Sequence, residues 1–259
     1  MGGGHLGHAG TDGLLIPGST VVHRAPAQLK IAALLVFVLA VVATPREAVW
    51  AFAVYAVVIV GVALVAAVPV LTLLRRLRIE VPFLGFALFL PLLGSSPRVQ
   101  VLGVSLSQPG LWAAWNIVAK GTLGVSASII LAATTPVAEL LQGLERLHLP
   151  RALTAIAGFM VRYLDVIVGE ANRMSIARQS RGYDPRWLWQ ARALASSAGT
   201  LFVRSFERGE RVHLAMASRG YAGSMPELHR RVATANERVA AAAVPLLAVS
   251  VCVAAHLVP

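Results

Sequence analysis

Five apolar segments, each close to the length that crosses a bilayer, constrain this chain more than any other feature. A helix rises 1.5 Å per residue, so about 20 apolar residues span the hydrocarbon layer. The segments are residues 29–45, 48–74, 79–95, 110–134 and 236–258. Hydrophobic residues make up 57% of the 259 residues and charged residues 14%, a composition unlike that of a soluble domain. We therefore predict an all-α, polytopic membrane protein with about five transmembrane helices.

Arginine is concentrated in the polar part of the chain. Between Arg146 and Arg238 there are 15 Arg and 7 acidic residues. Cationic residues next to spans mark the cytoplasmic side of a membrane. This bias places the amino terminus, the joint at residues 75–78 and the region 135–235 in the cytoplasm, with the carboxyl terminus outside. The net charge of +11 does not require a nucleic-acid partner, because anionic lipid headgroups also attract a basic face.

The region before the last apolar segment is not expected to cross the membrane. Its longest apolar run, residues 152–169, contains Arg162 and Asp165. A charge at mid-bilayer costs about 2.5–3.5 kcal/mol on insertion scales. We predict long amphipathic helices at the cytoplasmic face. The predicted division is a cytoplasmic lead-in at 1–28, transmembrane helices 1–4 in 29–134, the amphipathic region 135–235 and the final span in 236–259.

A short sequence occurs twice in this amphipathic region. Residues 176–183 read IARQSRGY and residues 214–221 read LAMASRGY, an offset of 38 positions. Upstream, Arg173 aligns with Arg211. A duplicated helix end suits a partner that itself consists of two equivalent subunits. Chance similarity between two amphipathic helix ends is the alternative.

Each copy carries the residues expected at the end of a helix. Gly182 and Gly220 stand where a helix commonly ends in a residue with positive φ, and Pro185 and Pro226 follow soon after. The arginine before each glycine then belongs to the last turn, where a cation complements the negative end of the helix dipole.

The motifs of common membrane-associated enzymes are missing from the sequence. It contains no G-x-x-x-x-G-K-[ST] phosphate loop, and the stretch at 120–122, Lys-Gly-Thr, has the wrong order. H-E-x-x-H, G-x-S-x-G and C-x-x-C are also missing. Glu139 and Glu145 are six residues apart, which places them on different faces of a helix. We predict no catalytic residues and no cofactor-binding residues.

A metal site is also not predicted. His5, His8 and His23 share no fixed short spacing, and Cys252 is an isolated thiol inside the last apolar segment. Lys120 lies well inside a span, where an ionised side chain needs a specific partner. That partner is either an adjacent membrane subunit or an acceptor within the chain.

Several segments resemble a known family of membrane proteins. They are the two Ser-Arg-Gly-Tyr copies, TTPVAELLQGLERLHLP at 134–150, FMVRYL at 159–164, and the stretches at 30–48 and 113–121. Together they resemble the T component, or transmembrane coupling subunit, of energy-coupling factor (ECF) transporters, in the cobalt-type, CbiQ-like branch. The resemblance extends from about residue 22 through the last span.

The resemblance implies a role for each repeated copy. In that family, two Ala-Arg-Gly-type signatures end two coupling helices, and each signature docks on one of two ATP-binding-cassette ATPase subunits. By position these are Ser180, Arg181 and Gly182, here called the first signature, and Ser218, Arg219 and Gly220, the second signature. Ser replaces Ala at the first position of both, which exchanges one small residue for another.

The same resemblance implies a function without catalysis or a bound cofactor. The chain is expected to transmit closure of the two ATPases to a separate substrate-binding membrane subunit, the S component, in the plasma membrane of a prokaryote, with cobalt ions as the substrate. A conventional ABC permease subunit, which docks through one short coupling helix, and a membrane-bound enzyme are the alternatives. The doubled signature disfavours the first, and the lack of convergent catalytic residues disfavours the second.

Overall fold

The computed structural model describes residues 14–94, 97–101, 104–183, 191–221, 223 and 234–257. These residues form ten helices, a single 3-10 turn and one antiparallel hairpin. In chain order they are α1 Val21–Arg24, α2 Ala27–Ala43, α3 Val49–Val65, α4 Val70–Arg76, the 3-10 turn Leu77–Glu80, α5 Val81–Leu93, β1 Arg98–Val101, β2 Val104–Ser107, α6 Gln108–Thr134, α7 Val137–Arg146, α8 Arg151–Ser180, α9 Ala191–Ala217 and α10 Ala235–Leu257. The prediction of an all-α polytopic membrane protein is confirmed in its helical architecture.

Within the described residues, fewer than five helices are long and apolar enough to cross a membrane. Three helices, α6, α8 and α10, are long and apolar enough to span the bilayer. The number rises to four if the bent pair Val49–Val65 and Val70–Leu92 is counted as one span. α2 is apolar but has only 17 residues. α8 passes this test although it lies in the region predicted to stay at the cytoplasmic face.

The predicted span at 48–74 is not one helix. α3 ends at Val65, and its axis meets that of the following helix at 119°. Ala67 adopts φ 51° and Val68 donates its N–H to the carbonyl of Ala63 at 2.9 Å, which closes the last turn of α3. Pro69 then caps α4, and proline cannot continue the hydrogen-bond ladder of a preceding helix. The turn was not predicted because its residues are all apolar and continue the hydrophobic run on both sides.

The core lies where α2, α3, α6 and α10 meet. Tyr55 of α3 is fully buried and packs edge-on against Phe37 and Phe52. Its hydroxyl lies 2.9 Å from Oγ1 of Thr44 and donates to the carbonyl of Ala248 in α10 at 3.2 Å. A polar group buried among apolar helices is stable only when it is hydrogen-bonded, and this hydroxyl has two partners.

Lys120 has a partner within the chain. Its Nζ donates to the carbonyl of Val42 at 2.7 Å, near the carboxyl end of α2. The last four carbonyls of a helix have no partner within the helix, and a cation there also complements the helix dipole. The second of the two possibilities for Lys120, an acceptor within the chain, is therefore the one observed.

A second polar contact joins the bent segment to α6. Glu80 is buried, and its two carboxylate oxygens share the hydroxyl proton of Thr122, whose Oγ1 lies 3.2 and 3.1 Å from them. The carboxylate lies over Gly121, where a Cβ atom would come within 2.6 Å of Oε1. Because Gly121 has no side chain, the Glu80 carboxylate can pack directly against the backbone of α6.

The junction between α6 and α7 is held by Lys30 of α2. Its Nζ donates to the carbonyl of Thr134 and to Oγ1 of Thr135, both at 3.0 Å. α7 then packs against the start of α2 at Gly143, where a Cβ atom would lie 2.9 Å from the nitrogen of Gln28. The described residues divide into two compact units, one from within 14–147 and 231–259 and the other from within 148–230, so α7 belongs with the apolar helices.

Replacement of Gly121 by Ala is expected to destabilise the protein. The added methyl group displaces Glu80 from Thr122, and loss of buried hydrogen bonds to a charged group costs about 1.5–3 kcal/mol. Gly124→Ala is the matched control on the same helix, since nothing lies within 4 Å of its Cβ position. The thermal midpoint of the purified protein in detergent should fall for Gly121→Ala and stay or rise for Gly124→Ala. Equal midpoints would contradict the close contact with Glu80.

Candidate functional site

The two signatures end α8 and α9, the long helices of the unit 148–230. These helices run antiparallel. Arg178, near the end of α8, donates from Nη1 to Oγ of Ser197, near the start of α9, at 2.7 Å. Glu170, eight residues earlier on α8, contacts Arg204 and Arg208, which lie later on α9. The carboxyl end of each helix therefore lies towards the amino end of the other.

The first signature closes α8 in a Schellman motif. Gly182 adopts φ +74° and donates its N–H to the carbonyl of Gln179 at 2.9 Å. Tyr183 donates its N–H to the carbonyl of Arg178 at 3.1 Å. Both bonds satisfy carbonyls that would otherwise lack partners at the helix end. The predicted positive φ of this glycine is confirmed.

The second signature closes α9 with the same bonds. Gly220 adopts φ +82° and donates to the carbonyl of Ala217 at 3.0 Å. Tyr221 donates to the carbonyl of Met216, also at 3.0 Å. The predicted positive φ is confirmed here too, and the two sequence copies therefore have one backbone geometry. Pro185 and Pro226 lie outside the described residues.

The serine of each signature is bonded within its own helix. Oγ of Ser180 donates to the carbonyl of Ala177 at 3.1 Å, and Oγ of Ser218 donates to the carbonyl of Ala215 at 3.0 Å. A hydroxyl in this position competes for the last carbonyls of a helix. The serine hydroxyl donors are thus used within the helices.

The arginines are the exposed charged groups at both ends. Arg181 and Arg219 are exposed, and within the ranges given above neither side chain makes an ion pair or hydrogen bond. Tyr183 and Tyr221, which follow, are half-buried. Each end thus presents one guanidinium, with its five donors, to the surroundings.

The two signatures lie on opposite sides of the contact at Glu170. Arg181 is 11 residues beyond Glu170 on α8, and Arg219 is 11 residues beyond Arg208 on α9. At 1.5 Å per residue each arm is about 16 Å long, so antiparallel arms separate the arginines by at most roughly 33 Å along the helices. The signatures therefore stand at opposite ends of the helix pair.

An ion-pair cluster between the helices was missed in the sequence. Glu170 Oε1 accepts from Nη1 of Arg204 at 2.9 Å, and Oε2 accepts from Nη2 of Arg208 at 3.1 Å. The Glu170 side chain is 9% exposed, against 56% for Arg204 and 31% for Arg208. Two signals were available: arginines spaced i, i+4, and alignment of Glu170 with Arg208 at the repeat offset of 38.

Beyond this cluster the helices enclose a groove of about 570 Å³. Its apolar lining includes Phe159, Met160 and Tyr163 from α8, with Val212 and Met216 from α9. Tyr221 of the second Schellman motif also lines it. The second signature therefore borders an apolar groove.

The histidines do not form a metal site where they can be seen. Nδ1 of His23 lies 2.8 Å from Oγ1 of Thr20, and Nε2 lies 3.0 Å from the carbonyl of Ile16, so both ring nitrogens have partners. Across the residues that the structure covers, no three His, Cys, Asp or Glu side chains gather in a way that could hold a metal. His5 and His8 lie outside the described residues, and Cys252 is a free, half-buried thiol.

The sequence matches one protein family over most of its length. The family described as cobalt transport protein, CbiQ, matches residues 18–229, which include both signatures and α1 to α9. The chain belongs to the CbiQ family. Members of this family are membrane components of transporters, and the expected relation to ECF transporters is confirmed by the relatives below.

Individual relatives carry two kinds of name. The cobalt transport protein CbiQ of Rhodobacter capsulatus is 32% identical over 132 residues, which cover 51% of this chain and 54% of the relative. The energy-coupling factor transporter transmembrane protein EcfT of Bacillus selenitireducens is 26% identical over 225 residues, covering 82% and 83%. EcfT of Bacillus subtilis is 24% identical and covers 82% and 84%.

The extent of these matches differs. The chain spans 21%, 38% and 54% of the length of three curated relatives, a fused cobalt transport protein CbiMQ, an uncharacterised archaeal protein and the Rhodobacter CbiQ. The alignments with the two EcfT proteins cover a larger share of both chains, 82% of this chain and 83% or 84% of the relative. The broad role as a transmembrane component of an ECF-type transporter follows from these relationships.

Replacing Gly182 or Gly220 by Ala is expected to loosen the helix ends. A residue with a Cβ atom in the left-handed region is strained by about 1 kcal/mol. In hydrogen exchange followed by mass spectrometry, peptides that contain Tyr183 or Tyr221 should exchange faster. Gly199→Ala on α9, at a glycine without positive φ and with nothing within 4 Å of its Cβ position, is the control. Unchanged exchange in both signature variants would show that the caps do not hold these ends.

Proposed function

We propose that this protein is the non-catalytic coupling subunit of an ATP-driven ECF-type importer. Each signature docks on one of two ATP-binding-cassette ATPase subunits, and α8 and α9 transmit the closure of the ATPases to a substrate-binding S component in the membrane. The observation that supports this most directly is the identity of the two helix ends. They share sequence, Schellman bonds, serine bonds and an exposed arginine.

The geometry of the ends supports two separate docking contacts. Because the helices are antiparallel, the signatures point away from each other at a separation of up to roughly 33 Å. Two equivalent ATPase subunits offer two equivalent grooves, and a chain with one repeated surface can fill both. Each guanidinium adds charge-assisted hydrogen bonds to carboxylates or carbonyls of the groove.

The charges of α9 support a cytoplasmic position for α8 and α9. The groove places the first half of α8, around Phe159 and Tyr163, beside Arg208 and Val212 of α9. Residues 207–211 of α9 include four charged side chains. Immersion of this stretch in hydrocarbon is costly, so α8 lies at the membrane surface despite its apolar composition. The basic excess of the region attracts the headgroups of the cytoplasmic leaflet.

Cobalt ions are the substrate we propose for the assembled transporter. This rests on the name of the matched family and of the Rhodobacter relative. The part of the chain seen here contains no cluster of metal ligands, so the ion is bound by the S component rather than by this subunit. We propose the plasma membrane of a prokaryote as the location of this subunit.

The double variant Arg181→Glu/Arg219→Glu is expected to lose the ATPase subunits. A charge-assisted bond typically contributes about 1.5–3 kcal/mol, and reversing both charges removes both anchors. In each single variant, Co²⁺ uptake should fall by a larger fraction than ATPase retention. One anchored helix still holds the ATPase dimer but cannot transmit its closure. The measurements are ATPase retention on affinity-tagged protein and uptake of radioactive Co²⁺ by cells carrying all subunits.

A matched control for this charge change exists in the same repeats. Arg173 and Arg211 are exposed, occupy equivalent positions and lie eight residues before each signature arginine. Arg173→Glu/Arg211→Glu changes the net charge equally and should retain the ATPases. Normal retention and uptake in Arg181→Glu/Arg219→Glu would refute docking through the signatures.

Cysteine labelling is expected to place the signatures in the cytoplasm. With Cys252 replaced by Ser, single cysteines replace Gln179 beside the first signature and Glu47 in the loop after α2, both exposed positions. In sealed right-side-out vesicles an impermeant maleimide should label position 47 at once and position 179 only after permeabilisation. Labelling of position 179 in sealed vesicles would place α8 on the other side.

A further inference from the structure

The helices α8 and α9 are joined by the ion pairs of Glu170 and by the hydrogen bond from Arg178 to Ser197. Of the residues of α8, only Thr154 and Glu170 are buried, and Glu170 carries the charge. The apolar residues beyond Glu170, including Phe159 of α8 and Val212 of α9, line a groove instead of a close-packed seam. The ion pairs of Glu170 therefore contribute strongly to the relative orientation of α8 and α9.

Glu170 and Arg208 occupy equivalent positions in the repeat. Their numbers differ by 38, as do those of Arg181 and Arg219. When two copies of a segment pack antiparallel, equivalent residues meet only on the local twofold axis. The Glu170–Arg208 pair thus marks that axis, with 11 residues leading from it to each signature arginine.

We propose that Glu170 is the positioning residue that sets the angle between the coupling helices. Its two carboxylate oxygens hold Arg204 and Arg208 one turn apart on α9, so rotation of α9 about the contact breaks one bond or the other. Equal arms on both sides make displacement of one signature cause a matching displacement of the second. This inference rests on the proposed function for its purpose, but the pivot itself is a property of the chain alone.

The pivot can be tested by measuring the distance between the helix ends. With Cys252 replaced by Ser, spin labels at Gln179→Cys and Ala217→Cys, both exposed, report the separation of the ends of α8 and α9 by pulsed electron spin resonance in lipid nanodiscs. The parent protein should give one narrow distance. Glu170→Gln, which keeps the shape and removes the charge, should broaden the distribution about twofold or more, because each arginine then lacks its ionic partner.

Two further variants keep the test decisive. Glu170→Arg/Arg208→Glu exchanges charges across the axis and should restore a narrow distance. Arg208→Gln leaves Glu170 bonded to Arg204 and should broaden the distribution less, which gives a result even if Glu170→Gln is not monodisperse. Glu207→Gln, an exposed acid on α9, is the control and should change nothing.

The outcomes separate the pivot from the proposed function. A narrow, unshifted distance in both Glu170→Gln and Arg208→Gln would overturn the pivot, whatever the ATPases do. Failure of the unmodified chain to retain ATPases would instead overturn the proposed function and leave the distances valid. If both hold, Glu170→Gln in the full complex should keep the ATPase subunits and lose Co²⁺ uptake, since docking survives without a fixed angle. Rescue of uptake by the exchanged pair excludes mere misfolding.

Discussion

The carbonyl groups at the carboxyl end of each helix have no partner within the helix, and this constraint orders the whole chain. Different ends satisfy it in different ways. Lysines of other helices donate hydrogen bonds to carbonyls at the ends of α2 and α6. Lys120 donates to the carbonyl of Val42, and Lys30 donates to that of Thr134. These bonds tie separate helices together, as expected where unsatisfied polar groups are costly.

The ends of α8 and α9 meet the same need with backbone and serine hydrogen bonds of their own residues. A glycine with positive φ, the N–H of a tyrosine and a serine hydroxyl complete each end. The arginine between them is then left free for another molecule. A helix end that closes itself is suited to docking, whereas one that depends on a neighbouring helix is suited to holding a bundle together.

The polar contacts also divide by purpose. Those of Tyr55, Glu80 and Lys120 join helices in the unit that holds the apolar core, where each donor or acceptor must be paired. Between α8 and α9 the buried carboxylate of Glu170 and the hydrogen bond from Arg178 to Ser197 take the place of such a network. A contact dominated by one buried ion pair is specific in direction but contributes modestly to stability. A proposed transmission element needs a defined angle more than it needs a large core.

The sequence by itself determined the membrane class, the helical architecture and the ends of α8 and α9. The length of the apolar segments predicts the membrane class and the helices, because backbone groups in hydrocarbon can form hydrogen bonds only with each other. Gly182 and Gly220 were predicted to take positive φ because glycine does so without steric cost. The family relationship was also readable from the repeated Ser-Arg-Gly-Tyr and the segment at 134–150.

Only the tertiary structure decided which distant residues meet. The partner of Lys120 is a backbone carbonyl 78 positions away, and carbonyls carry no signature in the sequence. The turn after α3 places Ala67 at positive φ, a position usually taken by glycine, because buried neighbours at Ala66 and Val68 hold it there. Glu170 meets Arg204 and Arg208 only because α8 and α9 are antiparallel in one particular register. Local propensity fixes the helices, but packing between helices selects the pairs.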